Sequence, residues 1–244
     1  MSKETDSIML KQVLMGALLL AVPACASVDT PVETVPQVPG KVVIVGDSIS
    51  LGLGAMGASK DCEIAAENTS LNVTYGVQVA KALGTDYVLY AWPGAGLVRN
   101  YADATSDTIS VRMHRLEDEN ALDNTGPVQL VLVNVGTHDF HQYDATDAFI
   151  PAMEDLLTMM AGHFPDATIY ALTGPMLGGK DGAFLDQAVR TAVDTVNTAD
   201  GTHIRYLALN GGDPAIALGC QWHPSMPAHE YMAGMILDDL KFGK

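Results

Sequence analysis

Residues 128–136, VQLVLVNVG, form an almost unbroken apolar run that stops at a glycine. Successive side chains on a strand point to opposite faces, so a run with Val or Leu at nearly every position has no face to give to water. Such a strand must be covered on both sides, as in a parallel sheet packed between two layers of helices. The rest of the chain supplies the parts. Short β-branched stretches at 41–46 (KVVIVG), 86–91 (DYVLYA), 167–172 (ATIYAL) and 203–209 (HIRYLAL) read as four more strands. Helical patterns fall at 74–84, 145–164, 182–199 and 227–242. In the third of these Phe184, Leu185, Ala188, Val189, Ala192, Val193 and Val196 recur at helical spacing and lay one apolar stripe on a sheet. Pro151 places the start of the second at the proline itself. The expected fold is α/β: a three-layer α/β/α sandwich around a five-stranded parallel sheet.

The charge restricts partners more than it restricts the fold. With 29 acidic against 13 basic residues the net charge is −16, which repels nucleic acid and anionic membranes and leaves neutral or cationic substrates. The amino terminus reads as an address. Residues 1–26 combine Lys3 and Lys11, the apolar VLMGALLLAVPA and the small residues of ACA, a signal peptide or lipoprotein signal. Export to the periplasm or medium follows, with membrane attachment only if Cys25 is lipidated. A Pro-rich linker occupies 27–40, and the folded domain spans 41–244. Cys62 and Cys220 then remain as an even pair, either a disulfide or two buried thiols.

In an open parallel sheet, ligands bind beyond the carboxyl ends of the strands, so the segments that follow each strand carry the chemistry. These are GDSIS at 46–50, WPGAG at 92–96, GTHDF at 136–140 and, before the last helix, CQWHPS at 220–225. Ser48 can be a nucleophile beside free backbone N–H groups, or an ordinary helix cap. His223 can be the base that takes its proton, or a loop residue before Pro224. Gly94 and Gly96 can offer an N–H to an oxyanion, or only permit a tight turn. Trp92 and Trp222, the only tryptophans, can stack on a sugar face or pack at the rim. Asp47 and Asp139 fit loop-fixing bonds to backbone N–H groups better than catalysis. His141 reads as loop surface. His138, Asp139 and His141 lack the spacing of a metal set, and no cofactor is implied.

Together and in this order, these blocks resemble the SGNH, or GDSL-type, hydrolase superfamily. AENTSLNVTYGVQVAKALG, YAWPGAGLVRNY, VNVGTHDF and GCQWHPSMPAHEYMA are similar to the hydrolase domain of carbohydrate esterase family 2, whose members deacetylate plant polysaccharides. The resemblance covers about 41–242 and implies a doubly wound, flavodoxin-like sheet and acetyl-ester hydrolysis. It makes Ser48 the nucleophile and His223 its general base. Ser48 N–H and the N–H of Gly94, with Gly96 as runner-up, become oxyanion donors.

Two positions depart from the family pattern. The last oxyanion donor is the asparagine of GTND, and His138 stands there. A neutral imidazole offers one N–H and a protonated one a charge-assisted bond, but the ring is bulkier and places its nitrogens differently. The family also places an aspartate two or three residues before the histidine, where this chain has Gln221 and Cys220. A backbone carbonyl, Gln221 Oε1 or the distant Asp213 can instead orient His223, and the expectation is a Ser–His dyad. Polysaccharide-acting members carry an N-terminal β-sandwich where this sequence has a short linker, which favours small acetylated sugars or oligosaccharides as substrate. The expected activity is a carbohydrate O-acetylesterase. Its alternatives are a general short-chain esterase or lysophospholipase, and a carbohydrate-binding protein weakened in turnover by His138.

Overall fold

The computed structural model describes residues 40–242 except 142 and 216. The expected leader, Cys25 and nearly all of the linker lie outside the described residues. In chain order the elements are β1 (Lys41–Gly46), α1 (Tyr75–Ala82), β2 (Tyr87–Ala91), α2 (Ile109–Asp118), β3 (Val128–Asn134), α3 (Thr137–Phe140), α4 (Thr146–His163), β4 (Thr168–Thr173), α5 (Gly179–Asp200), β5 (Arg205–Ala208) and α6 (Met226–Phe242). The five strands form one parallel sheet in the order β2-β1-β3-β4-β5, the flavodoxin-like arrangement.

Alternation within β1 shows how both faces are used. Val43 and Val45 pack with Val131 and Val133 of β3 against apolar side chains of α2, α4 and α5. Val42 and Ile44 pack with Leu130 and Leu132 against α1 and α6 on the other face. All of these strand positions are essentially free of solvent. Each such side chain contributes about 1.5–3 kcal/mol by burial, which sets the two central strands as the rigid floor of anything built at their ends.

Two details differ from the sequence expectation. Helix α4 begins at Thr146, ahead of Pro151, which lies inside it. The Asp144 carboxylate accepts bonds from Thr146 N–H at 3.1 Å and from its hydroxyl at 2.6 Å, and Phe149 N donates to Ala145 O at 2.8 Å. Phe149 is buried edge-on against Phe140, 5.0 Å between centroids. The first turn is thus capped and anchored, and the proline costs it one N–H. Helix α2 carries only two fully buried side chains, Ile109 and Met113, so apolar periodicity does not reveal it.

Candidate active site

The chain turns sharply on leaving β1, because Asp47 Oδ1 accepts Ile49 N–H at 2.9 Å. A side chain at Gly46 would place its Cβ 2.1 Å from Ser50 Oγ, so only glycine fits there. Asp47 is buried, and burial pushes its pKa up to about 7. It holds the turn from inside, and Ser48 is the residue delivered to the cavity.

His223 meets it from the segment before α6. Its Nε2 lies 2.8 Å from Ser48 Oγ, and its Nδ1 lies 3.1 Å from the backbone carbonyl of Gln221. A carbonyl can only accept, so Nδ1 carries the hydrogen and Nε2 presents its lone pair to the serine hydroxyl. Burial lowers the pKa of His223, opposed by the backbone bonds to Gln221 and Cys220. Neutral imidazole is the form that can take a proton. The carbonyl reaches Nδ1 because Gln221 and Trp222 are both left-handed, at φ 48° and 65°, within the turn Cys220–Trp222. Of the three groups open for this role in the sequence, the carbonyl occupies it. The side-chain Nε2 of Gln221 bonds Glu63 at 2.5 Å, and Asp213 accepts Ala215 N–H at 2.9 Å in its own turn.

Across the cavity are Gly94 and His138. Gly94, at φ +73°, lines the cavity, whereas Gly96 N–H donates to Asn100 Oδ1 at 3.1 Å and is thereby engaged. The glycine loop is fixed by Asp139. Its Oδ2 accepts Leu97 N–H at 2.8 Å, and its Oδ1 accepts Val98 N–H at 2.8 Å and Arg99 N–H at 2.9 Å. Burial pushes the Asp139 carboxyl up, and these three bonds pull against it. The residue before it, His138, faces the cavity with Nε2 buried and without a protein partner. Burial, reinforced by His223 and His141, pushes its pKa down to about 4. Near neutral pH His138 is therefore an uncharged ring with one N–H to give, and the charge-assisted alternative is not populated.

The cavity holding these groups measures about 570 Å³ and has apolar walls at Leu53, Ile64, Met176 and Leu177. Trp222, 56% exposed, stands at its rim with Lys60 Nζ 4.6 Å from the ring centroid. Trp92 does not line it. That indole packs against the core with Arg112 5.1 Å from its centroid, because the end of β2 turns it toward α2. His141 is exposed, as the sequence reading expects, and it also lines the cavity beside His138. Cys62 and Cys220 form a disulfide. Two residues inside the family-like blocks are not singled out by the sequence reading. Tyr101 forms part of the wall and meets the His138 ring edge-on at 6.0 Å. His229, fully buried on α6, accepts Tyr75 N–H at 3.2 Å. Among the described residues no group of three or more His, Cys, Asp or Glu could hold a metal ion.

Arranged this way, a serine hydroxyl beside the lone pair of an oriented neutral imidazole, facing a glycine turn and a ring N–H, can carry out acyl transfer. Comparison with known proteins points the same way. The chain is 28% identical over 205 residues to "Cellulase/esterase CelE" of Acetivibrio thermocellus, covering 82% of this chain and 25% of that protein. It is 21% identical over 223 residues to "Acetylxylan esterase / glucomannan deacetylase" of Cellvibrio japonicus, covering 84% of this chain and 60% of that one. It thus spans less than two thirds of either relative. A solved family two carbohydrate esterase from Clostridium thermocellum, in complex with cellohexaose, superposes with a TM-score of 0.76 at 27% identity, covering 83% of this chain and 64% of that chain. The description "GDSL-like Lipase/Acylhydrolase family" matches residues 44–240, from the middle of β1 to the last turns of α6, and the chain belongs to that family.

Proposed function

We propose that the chain is a serine esterase that removes O-acetyl groups from carbohydrates. The observation that carries this reading is the 2.8 Å contact between Ser48 Oγ and His223 Nε2, made inside a cavity that Gly94 and His138 also line. Ser48 Oγ attacks the acetyl carbonyl while His223 Nε2 takes its proton. The tetrahedral oxyanion is held by the N–H groups of Ser48 and Gly94 and by the ring N–H of His138. Collapse breaks the bond to the sugar oxygen, which leaves as the alcohol with the proton from His223. Water then attacks the acetyl-serine, assisted by the same ring, and acetate departs. His223 is held by Gln221 O, so the catalytic unit is a Ser–His dyad with a backbone carbonyl in the orienting role.

Three things support a carbohydrate ester as substrate. One relative is named a cellulase/esterase and the other an acetylxylan esterase and glucomannan deacetylase, the superposed esterase is bound to cellohexaose, and Trp222 stands exposed at the rim, where its indole can cover a sugar face. Export is part of the proposal, and the Cys62–Cys220 disulfide supports an oxidising destination. The test is acetate release from acetylated xylo-oligosaccharides, set against aryl esters of two to eight carbons. A steep preference for acetyl with release from the sugar is expected, whereas equal or better rates on octanoyl esters would make this a general acyl esterase. One observation favours a second reading, sugar binding with weak turnover: the bulky ring of His138 stands where the resembling family has an amide. Tight oligosaccharide binding without acetate release would establish it.

A further inference from the structure

We propose that the Cys62–Cys220 disulfide is the positioning element of the general base, holding the turn that presents Gln221 O to His223. This rests on the dyad reading above. Gln221 and Trp222 are consecutive non-glycine residues in the left-handed region, a conformation that persists only when the surroundings impose it. The surroundings here are one segment, the stretch that leaves Ser48 and runs to Glu63. Cys220 N–H donates to Gly54 O at 3.0 Å, Gln221 N–H to Lys60 O at 3.0 Å, and Met226 N–H to Ala55 O at 2.8 Å. The disulfide closes the same contact, and Gln221 Nε2 bonds Glu63 beside it. The two backbones approach so closely that a Cβ at Gly57 would lie 2.2 Å from Cys220 Sγ, and one at Gly219 2.2 Å from Gly54 O.

The bridge therefore joins the segment that carries the nucleophile to the residue that opens the turn of the base. Without it, the left-handed pair is retained by those hydrogen bonds alone. Relaxation of Gln221 withdraws its carbonyl from Nδ1, the ring loses its fixed tautomer, and Nε2 is no longer held for the Ser48 proton. The cavity walls at Gly94, His138 and Met176 come from other segments and stay in place. Cys62 is only partly buried, so a dithiol can reach the bridge. Reduction by dithiothreitol passes through a mixed disulfide and leaves two protein thiols and one cyclic oxidised dithiol.

The test compares oxidised protein, dithiothreitol-reduced protein and the double variant Cys62→Ser/Cys220→Ser, with the state of each thiol established by alkylation and peptide mass. Readouts are kcat and KM on an aryl acetate, the rate of Ser48 labelling by a fluorophosphonate, and circular dichroism at the assay temperature. The expected result is a fall in kcat and in labelling of about 10- to 100-fold on reduction, the scale set by misplacing a catalytic group. KM should change little, the dichroism should stay folded, and reoxidation should restore the rate. Unchanged kcat in folded, reduced protein overturns the proposal. So does a loss of rate that appears only together with loss of folded dichroism, because the bridge then stabilises the domain as a whole. If the double variant does not fold, reduction and reoxidation of the native chain decide. Oxidised protein that neither turns over nor labels at Ser48 overturns the esterase reading, and this proposal with it.

Discussion

His138 and His223 face the same cavity from supports of different kinds. His138 rides on α3, four residues past the end of β3, the strand with the most thoroughly buried neighbours. Its neighbour Asp139 ties that end of the sheet to the glycine loop through three backbone N–H bonds. His223 has no strand behind it. It follows a turn with two left-handed residues and is placed by contacts to a segment more than 150 residues earlier in the chain, the disulfide alone spanning 158. A group attached to a rigid strand inherits its position by covalent continuity, whereas a group on a loop must be tied from outside. The first kind is broken by losing many contacts, the second by losing a few ties.

The largest expected effect removes the hydroxyl whose proton His223 takes. Ser48→Ala should lower kcat/KM more than about 10⁴-fold on aryl acetate, with folded dichroism intact. Next comes the strand-borne side. Asp139→Ala strands three loop N–H groups in a buried place, and a loss of about 3–5 kcal/mol is expected in urea unfolding, with activity falling alongside. His138→Ala acts on the reaction alone and should cost about 100- to 1000-fold in kcat with KM little changed. His138→Asn should restore much of that, since the amide also donates. The pH profile separates the two rings. His223 works only when neutral, and burial lowers its pKa, so activity is lost only as pH falls below the ordinary histidine value of 6.5. His138, at about 4, is neutral from pH 5 to 9, so over that range His138→Asn should leave the pH dependence where it is. The smallest effect sharpens the loop side. Asp213→Ala removes a carboxylate that only caps its own turn, so it should leave kcat unchanged.

The same contrast explains what the sequence discloses. The strands are legible because burial on both faces demands apolar runs, and Val42 to Val45 and Leu130 to Val133 obey that demand. Ser48, Gly94, His138 and His223 stand out because strand ends are where ligand sites form, and the structure gathers all four around one cavity. What distinguishes Gly94 from Gly96 is a single bond to Asn100, which no spacing encodes. The orienting group of His223 is a main-chain carbonyl, and every residue has one, so residue type cannot point to it. Trp92 and Trp222 look alike in the sequence, yet the turn after β2 sends the first into the core side while the left-handed backbone at 222 sends the second outward. His229 lies within the block around His223, yet nothing in that block shows that its Nδ1 accepts the N–H of Tyr75.

The most direct test of the central claim is acetate release from acetylated xylo-oligosaccharides by wild type, Ser48→Ala and His138→Asn, measured from pH 5 to 9. Turnover by wild type is expected, none by Ser48→Ala, and a changed rate for His138→Asn without displacement of the acid limb. An inert wild type that gains turnover on His138→Asn would contradict it, leaving an esterase fold whose present role is not hydrolysis.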